Sequence, residues 1–500
     1  MVTAAPAVFE GPLSVANLSA VTALRDVLDR HGFTGAPAVE ALGPPLPFGK
    51  GHLRDDLPFY LRRVEAPTPL NTLIQLFVLG SSVDRDLAVQ AFAPLELDDV
   101  IKIGVIESGP GGISARLRLS MYDDLLVAHD AYNHDQDKRT LRPDHVLDVN
   151  PTTISLSNLT VRRRVARALE IGTGCGALAL RASRHADLVV ATDTNQRALN
   201  FAVFNAAING VTNVEWRMGS LFDAVAGETF DLIFCNPPYV ISPDSHLIFR
   251  DGGRRGDALC EEIVRRSPEF LTDGGFATTL INWVVRANED WPVPLKRWVD
   301  GNGCDSWLML STAQDPATYA ALWTRGRDRA PYAAALDRWI HYFQELGVAM
   351  IGQGAVVLRK RAAGTGWVRA DYLDDNVSGP AGPHIERLFA AEDRLAALGT
   401  DDALLDSVFT TVRDHELQQR SKIDSSGYVI DSAQVALLGG LPFHGNVDKY
   451  ATQLLGRCDG RRTLRAIAEE IAVEGGVSVT AFTAACAGIS RRLIAMGFLA

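Results

Sequence analysis

The stretch Val165-Ala-Arg-Ala-Leu-Glu-Ile-Gly-Thr-Gly-Cys-Gly-Ala-Leu-Ala-Leu180 decides the fold of this chain. A strand-like segment leads into a Gly-x-Gly-x-Gly loop, and an apolar, alanine-rich helix follows. Glycines let the backbone turn sharply and let a ligand approach without a Cβ in the way. Dinucleotide folds use Gly-x-Gly-x-x-Gly instead, and Glu170 stands directly before this loop, where it would repel a diphosphate. The loop therefore predicts a site for a cationic, non-phosphate ligand.

The segments after the loop predict a parallel α/β sheet. Leu188–Asp193 is an apolar strand ending in an acid about 20 residues past the loop, where a carboxylate can accept both ribose hydroxyls. Asn195–Asn205 has helical periodicity. A third strand is predicted over 214–222, and Asp231–Cys235 is predicted as a buried fourth strand.

The fourth strand runs into Asn236-Pro237-Pro238-Tyr239, a rigid polar corner. Proline fixes its own φ and pushes the preceding residue into extended geometry, so the Asn236 amide is held in one direction. Tyr239 offers a flat face beside it. Taken alone, the corner is more typical of an ordinary Pro-Pro turn than of a ligand site. Because ligands bind outside the carboxyl ends of strands in open α/β sheets, its position beside the glycine loop favours a site for a planar amine.

This ordered set resembles the class I S-adenosylmethionine-dependent methyltransferases. Within them it is most similar to the Asn-Pro-Pro-Tyr branch of HemK-type glutamine methyltransferases and nucleobase amino-methyltransferases. The resemblance covers about residues 150–362 and implies S-adenosylmethionine as the cofactor. The implied catalytic residues are Asn236, Pro237, Pro238 and Tyr239. The implied cofactor-binding residues are Glu170, Gly172, Thr173, Gly174, Gly176, Asp193, Thr194, Ser220, Leu221 and Asn236.

The resemblance also implies a mechanism. The Asn236 side-chain oxygen and the Pro237 carbonyl would accept the two protons of a planar amine, which directs the nitrogen lone pair towards the methyl group. Tyr239 would stack on the planar group, and no strong general base is required. The chain departs from the family at Gly219-Ser-Leu-Phe222, where Ser220 replaces an acid that typically lies near the adenine.

Composition limits the alternatives. The chain has 500 residues, 47% hydrophobic and 22% charged, as expected for two to four globular domains. No segment approaches the ~20 apolar residues of a membrane span. The start lacks a basic region followed by an apolar stretch, so a cytoplasmic protein is expected. Six single cysteines without a Cys-x-x-Cys pair predict reduced thiols, and the histidines show no metal-ligand spacing.

Two further domains are predicted around the catalytic domain, which spans 146–362. Residues 1–145 are expected to form helices followed by a hairpin with strands at Val100–Glu107 and Ile113–Ser120, resembling a winged helix. Such a domain would serve substrate docking or dimerisation. Residues 363–500 begin with a linker. Helices are predicted there at 385–397 and 401–418, and another begins at the N-cap Thr463, in a pattern resembling PqqD-like peptide-recognition domains.

The predicted fold class is α/β, a seven-stranded Rossmann-like methyltransferase sheet between these two winged-helix-like domains. The predicted function is N-methylation of a planar nitrogen, with a protein or peptide side-chain amide favoured. A net charge of −11 argues against a general nucleic-acid binder. Two alternatives stay open: a methyltransferase acting on RNA or DNA nucleobase amines, and a cofactor-binding regulatory or scaffold protein. No membrane partner is expected, and a homodimer is compatible with the sequence.

Overall fold

The computed structural model describes residues 9–44, 56–131, 141–325, 329–373, 377–425 and 427–500. The chain divides into two units. The first contains Met1–Ile154 and Arg164–Ala370, and the second contains Ser155–Arg163 and Asp371–Ala500. The opening residues 1–8, on which the expectation about the start of the chain partly rests, lie outside the described residues, as do 374–376 of the predicted linker.

The first part of unit 1 consists of helices, as predicted, followed by two hairpins where one was predicted. The elements are α1 (Leu18–Arg30), α2 (Ala36–Leu42), α3 (Leu57–Arg63), α4 (Pro69–Ile74), which continues as a π-helical turn (Gln75–Leu79), α5 (Arg85–Phe92), α6 (Leu97–Ile103), β1 (Ile106–Gly109), β2 (Gly112–Ala115), β3 (Arg118–Tyr122) and β4 (Leu125–His129). Their apolar side chains share one hydrophobic core with the helix at 196–208 of the sheet region, so the two parts pack as a single body.

The predicted first strand of this hairpin, Val100–Glu107, is wrong over its first half. Residues 97–103 are helix α6, which buries Leu97, Val100 and Ile103. These apolar residues recur every three positions, as on one face of a helix. The helix ends at Gly104, which adopts a φ of +91°, and only β1 after it belongs to the hairpin.

The second part of unit 1 alternates strands and helices. The elements are α7 (Pro151–Leu159), β5 (Val165–Ile171), α8 (Ala177–Ala182), β6 (Ala186–Asp193), α9 (Gln196–Ile208), β7 (Val214–Met218), β8 (Phe230–Cys235), α10 (Ile248–Asp251), α11 (Ala258–Arg266), β9 (Leu271–Arg286), α12 (Pro292–Val299), β10 (Cys304–Gln314), α13 (Pro316–Thr324), α14 (Arg329–Leu346), β11 (Val348–Lys360) and β12 (Val368–Tyr372). α7 continues into unit 2 beyond Ile154, and β12 does so beyond Ala370.

These strands form one mixed sheet in the order β12-β10-β11-β9-β8-β5-β6-β7. The strands from β9 to β7 run parallel, whereas β11 is antiparallel to both β9 and β10. The predicted count of seven strands is not confirmed. The sheet has eight strands, because β12 forms an edge inside the stretch predicted as a linker. The chain leaves β5 towards β6 on one side and returns to β8 on the other, which creates a crevice at the carboxyl ends of these strands.

Unit 2 combines helices with small antiparallel sheets. Its elements after the linker are α15 (Gly382–Leu398), α16 (Asp401–Leu405), β13 (Val408–Thr410), β14 (His415–Asp424), β15 (Gly427–Leu437), β16 (His444–Val447), α17 (Lys449–Arg457), β17 (Asp459–Thr463), α18 (Leu464–Glu474) and α19 (Val479–Ala495).

Two predictions for unit 2 have opposite outcomes. The N-cap Thr463 is confirmed, since its hydroxyl accepts a hydrogen bond from the Ala466 backbone at 3.2 Å. The helix predicted over 401–418 is wrong, because α16 ends at Leu405 and the chain then enters β13 and β14. The winged-helix assignments of both flanking regions stay predictions. Among the described residues, no helix combines the length and apolar character needed to cross a bilayer.

Candidate active site

A cavity of about 400 Å³ lies at the carboxyl ends of β5, β6 and β8. This volume falls within the range of about 300–1,000 Å³ that is usual for small-molecule sites. Most of the residues predicted as site residues meet at its wall. They are Glu170, Gly172, Thr173, Gly174, Asp193, Thr194, Ser220, Leu221, Asn236, Pro237 and Pro238.

The three loop glycines divide into two roles. Gly172 and Gly174 adopt φ values of +73° and +55°, and no described heavy atom lies within 4 Å of a Cβ built at either position. Their lack of a side chain keeps the backbone turn accessible to a ligand. Gly176 is different, because a Cβ there would lie 2.9 Å from both Ala202 and the Trp216 ring. Gly176 thus permits the close packing of α8 on its neighbours, and it is not among the described residues that line the cavity.

Asp193 connects the ends of β5 and β6. Its Oδ2 accepts a hydrogen bond from the Gly174 backbone at 2.8 Å, and its Oδ1 accepts one from the Asn195 backbone at 2.8 Å. Burial raises the pKa of Asp193, and these backbone N–H groups oppose that shift by stabilising the carboxylate. The carboxylate is therefore held in place before any ligand arrives.

Glu170 is a buried carboxyl group at the end of β5. Burial raises its pKa from 4.5 to about 8, although the Thr173 hydroxyl donates a hydrogen bond to it at 2.7 Å. Glu170 therefore carries a proton over much of the neutral range. A positive charge brought into the cavity would favour the carboxylate and lower this pKa.

The polar corner places Asn236 at the cavity wall, after the end of β8. The Asn236 side-chain nitrogen donates a hydrogen bond to the Thr152 hydroxyl at 3.2 Å. The backbone at Pro238 is closely packed as well, since a Cβ on Gly252 would lie 2.7 Å from the Pro238 carbonyl oxygen. Gly252 adopts a φ of +50°, a conformation that glycine tolerates best.

Residues 146–292 match the family model of the methyltransferase small domain. The predicted resemblance to HemK-like class I methyltransferases is therefore confirmed for the methyltransferase domain, and so is S-adenosylmethionine as its cofactor. Residues 30–116 match a second model, described as a domain of unknown function (DUF7059).

Curated relatives agree with the assignment of the methyltransferase domain. The chain is 37% identical over 134 residues to a release factor glutamine methyltransferase of Xylella fastidiosa, a match covering 24% of this chain and 47% of the relative. The protein of the same name from Escherichia coli is 33% identical over 129 residues, 23% of this chain and 47% of the relative. A ribosomal protein uL3 glutamine methyltransferase of Bradyrhizobium diazoefficiens is 31% identical, covering 30% of this chain and 52% of the relative. The chain thus spans about half the length of the curated relatives it matches.

The cavity of the methyltransferase domain fits S-adenosylmethionine. Two open glycines give access to the backbone, and the buried Glu170 carboxyl group gains most from a nearby cation. Asp193 stands at the end of the second strand, where it could accept hydrogen bonds from ribose hydroxyls. Glu170, Asp193 and the glycine loop are therefore the residues that would hold the cofactor.

The segment Ser220–Leu221 lines another part of the cavity. Leu221 adopts a φ of +49°, which residues other than glycine seldom take. Backbone strain of this kind is concentrated at ligand sites. Ser220 is present at the wall despite replacing the acid of the family pattern, and its contact with an adenine stays a prediction.

Tyr239 differs from the expectation for the corner. Its side chain packs against two hydrophobic clusters, and Thr152 and Gln353 lie near its hydroxyl and lower its pKa. Burial raises the pKa of this phenol. Tyr239 is not among the described residues that line the cavity, so its stacking on a substrate stays a prediction.

Two segments of the cavity wall were missed from the sequence. One runs from His145 to Thr153, and the other from Ser245 to Gly253. A signal for the first was available at Asn150-Pro151, because Asn is a favoured N-cap and Pro is favoured at the first helical position. The Asn150 side-chain oxygen indeed accepts the Thr152 and Thr153 backbone N–H groups, both at 3.0 Å. The second segment ends in Gly252-Gly253 but has no comparable local signal.

All six cysteines are free and buried, as the prediction of reduced thiols requires. They are Cys175, Cys235, Cys260, Cys304, Cys458 and Cys486. Cys175 and Cys235 line the cavity, and burial raises the pKa of both thiols, to about 12 for Cys175. Protonated thiols are poor nucleophiles, so these two residues serve as apolar wall.

Proposed function

We propose that this chain transfers a methyl group from S-adenosylmethionine to the side-chain amide nitrogen of a glutamine residue in a protein. The observation that carries the proposal is the Asn236 amide at the cavity wall, with its nitrogen engaged by Thr152. Its oxygen is then the atom available to an incoming amine. The relatives' names, which specify glutamine in a release factor and in a ribosomal protein, support this acceptor class.

The chemistry divides between donor and acceptor. S-adenosylmethionine, when bound, supplies an electrophilic methyl group on a sulfonium. An amide nitrogen is a poor nucleophile because its lone pair is delocalised into the carbonyl group. Asn236 Oδ1 and the Pro237 carbonyl oxygen would accept the two amide N–H protons, which orients the lone pair and stabilises positive charge on nitrogen. The new N–C bond forms as the S–C bond breaks, and one nitrogen proton then leaves to water.

The remaining residues prepare the cavity. Glu170 and the glycine loop would hold the charged end of the cofactor, and Asp193 would accept its ribose hydroxyls. The two proline rings and the buried Cys235 exclude water from one side of the acceptor nitrogen. A reaction of this kind needs alignment more than acid–base catalysis.

Tritiated methyl transfer to fractionated cell extract tests the proposal. Purified chain is incubated with labelled S-adenosylmethionine, and labelled species are identified by mass spectrometry. We expect label on protein, located on glutamine and resistant to RNase and DNase. The Asn236→Ala variant, which should still bind cofactor, serves as the inactive control.

Three results would contradict the proposal. Loss of label on nuclease treatment would assign a nucleobase amine as the acceptor. Label on a protein residue other than glutamine would assign another protein acceptor. Cofactor binding in calorimetry without label on any fraction of the extract would favour the cofactor-binding regulatory or scaffold protein. A cytoplasmic location and a homodimer are compatible with the proposed reaction, and both stay predictions.

A further inference from the structure

Thr152 lies outside every motif that the sequence singled out, yet it contacts two residues of the corner. It stands in the first turn of α7, 84 positions before Asn236 in the chain. Its hydroxyl accepts a hydrogen bond from the Asn236 side-chain nitrogen at 3.2 Å, and it lies close enough to the Tyr239 phenol to influence its pKa. Thr152 thus joins the functional amide and the aromatic residue of the corner.

The direction of these hydrogen bonds is fixed from the backbone. Asn150 Oδ1 lies 3.0 Å from the backbone nitrogens of both Thr152 and Thr153. Backbone N–H groups can only donate, so this atom of Asn150 must be the oxygen. The Thr152 hydroxyl lies 2.7 Å from the same oxygen and therefore donates its single proton there. Its lone pairs are left for the remaining partners.

The direction of the Thr152 hydroxyl determines the orientation of the Asn236 side-chain amide. A hydroxyl that has already used its proton can only accept, so Asn236 must present its nitrogen to Thr152. The amide oxygen then takes the other position. In the reverse orientation, two acceptors would face each other at Thr152, and Asn236 would offer donors to a substrate amine that itself needs acceptors.

The same hydroxyl stabilises the rest of the corner. Thr152 and Gln353 of β11 both lie near the Tyr239 phenol and lower its pKa against the effect of burial. Gln353 Oε1 accepts a hydrogen bond from the Thr312 hydroxyl at 3.2 Å, and its amide nitrogen can donate to Tyr239. The corner is therefore fixed between α7 and the antiparallel part of the sheet.

We propose that Thr152 is a positioning residue that sets the orientation of the Asn236 amide for the methyl acceptor, a role that rests on the proposed function. It touches neither donor nor acceptor and acts through Asn236. The replacement Thr152→Val removes only the hydroxyl and keeps the branched shape. Thr152→Ser keeps the hydroxyl and loses a methyl group.

Steady-state methyl transfer separates a positioning role from a structural one. We expect kcat of Thr152→Val to fall about 30-fold, because one hydrogen bond that defines the amide orientation is lost. The KM for S-adenosylmethionine should stay within about twofold, and Thr152→Ser should recover kcat to within about threefold of wild type. Thr160→Val is the matched control, since its buried hydroxyl bonds the Leu156 carbonyl at 2.7 Å. This control should keep the wild-type kcat.

A spectroscopic measurement makes the outcome independent of the proposed function. In protein labelled with ¹⁵N at asparagine, the Asn236 side-chain NH₂ signals should shift and exchange faster with solvent in Thr152→Val, but not in Thr160→Val. Unchanged signals would overturn the positioning role, even if the wild-type protein proved to have no transferase activity. An unchanged kcat in a Thr152→Val variant that melts like wild type would overturn it too. Equal losses in the Val and Ser variants would indicate a packing role instead.

Discussion

The two ends of the cavity are built in different ways. The donor loop, Glu170–Gly176 with Asp193, is held by bonds between near neighbours in sequence. Thr173 binds Glu170 three residues away, and Gly174 binds Asp193 19 residues away. The acceptor corner, Asn236–Tyr239, depends on partners 84 residues or more away in sequence, namely Thr152 and Gln353.

The two parts of the site differ in which segments of the chain must fold before each part is formed. A site closed by local backbone hydrogen bonds is preformed once its strand–loop–helix unit folds. A site closed by side chains from distant elements is correct only when α7 and β11 are both in place. Changes at the donor loop should therefore affect cofactor binding, whereas changes at the corner should affect turnover alone.

The largest expected effect comes from removing the corner amide. Asn236→Ala should lower kcat by about 10³-fold, because it deletes a preorganised acceptor for the substrate protons. The dissociation constant for S-adenosylmethionine, measured by calorimetry, should change by less than about threefold. The exposed Asn446 in β16 provides the control, and Asn446→Ala should keep the wild-type rate. A corner variant that kept a tenth of the activity would remove the distinction between the two ends.

The next effect tests the donor loop. Asp193→Ala should raise the dissociation constant for S-adenosylmethionine about 100-fold, since two charge-assisted hydrogen bonds to ligand hydroxyls would be lost. Asp187→Ala, near the start of the same strand and largely exposed, is the matched control. If Asp193→Ala changed kcat and left binding intact, Asp193 would not belong to the donor end.

A smaller effect should appear in the pH dependence of stability. The pKa of Glu170 is about 8 in the folded chain and 4.5 ordinarily, so the folded state binds more protons between these values. The stability contributed by this group is present at low pH and is lost as pH rises towards 8. Glu170→Gln should therefore stabilise the ligand-free protein by roughly 2.5 kcal/mol at pH 7 relative to its effect at pH 5. Denaturant unfolding at both pH values measures this difference. If the variant and the wild type differed by the same free energy of unfolding at both pH values, the raised pKa of Glu170 would be contradicted.

The smallest expected effect comes from a substitution that presses on the backbone of the corner. Gly252→Ala should lower kcat about tenfold, because the new Cβ would press on the Pro238 carbonyl and also strain a φ of +50°. Gly253→Ala introduces similar strain at a φ of +66°, but no described heavy atom lies near its Cβ. The difference in kcat between the two variants therefore isolates the clash. Equal losses would mean that backbone strain alone accounts for the effect.

The sequence predicted the features that nearby residues specify and missed those that depend on contacts between distant residues. The glycine loop, Asp193 and the Asn-Pro-Pro-Tyr corner were found because each signal lies within a few residues. The strand predicted over Val100–Glu107 failed over 100–103, since a short apolar run is compatible with both strand and helix, and tertiary packing selected the helix. The helix predicted over 401–418 also failed, because β13 pairs with the distant β17 and β14 forms a hairpin with β15.

By itself, the sequence determined the order of strands β5 to β8, the glycine turn and the polar corner that follows β8. These features depend on local backbone preferences and on apolar periodicity, which neighbouring residues specify. Only the tertiary structure decided that Gly176 faces a helix instead of the cavity, that β12 completes an eighth strand, and that Thr152 orients Asn236. Each of these depends on contacts between residues far apart in the chain, which no local pattern records.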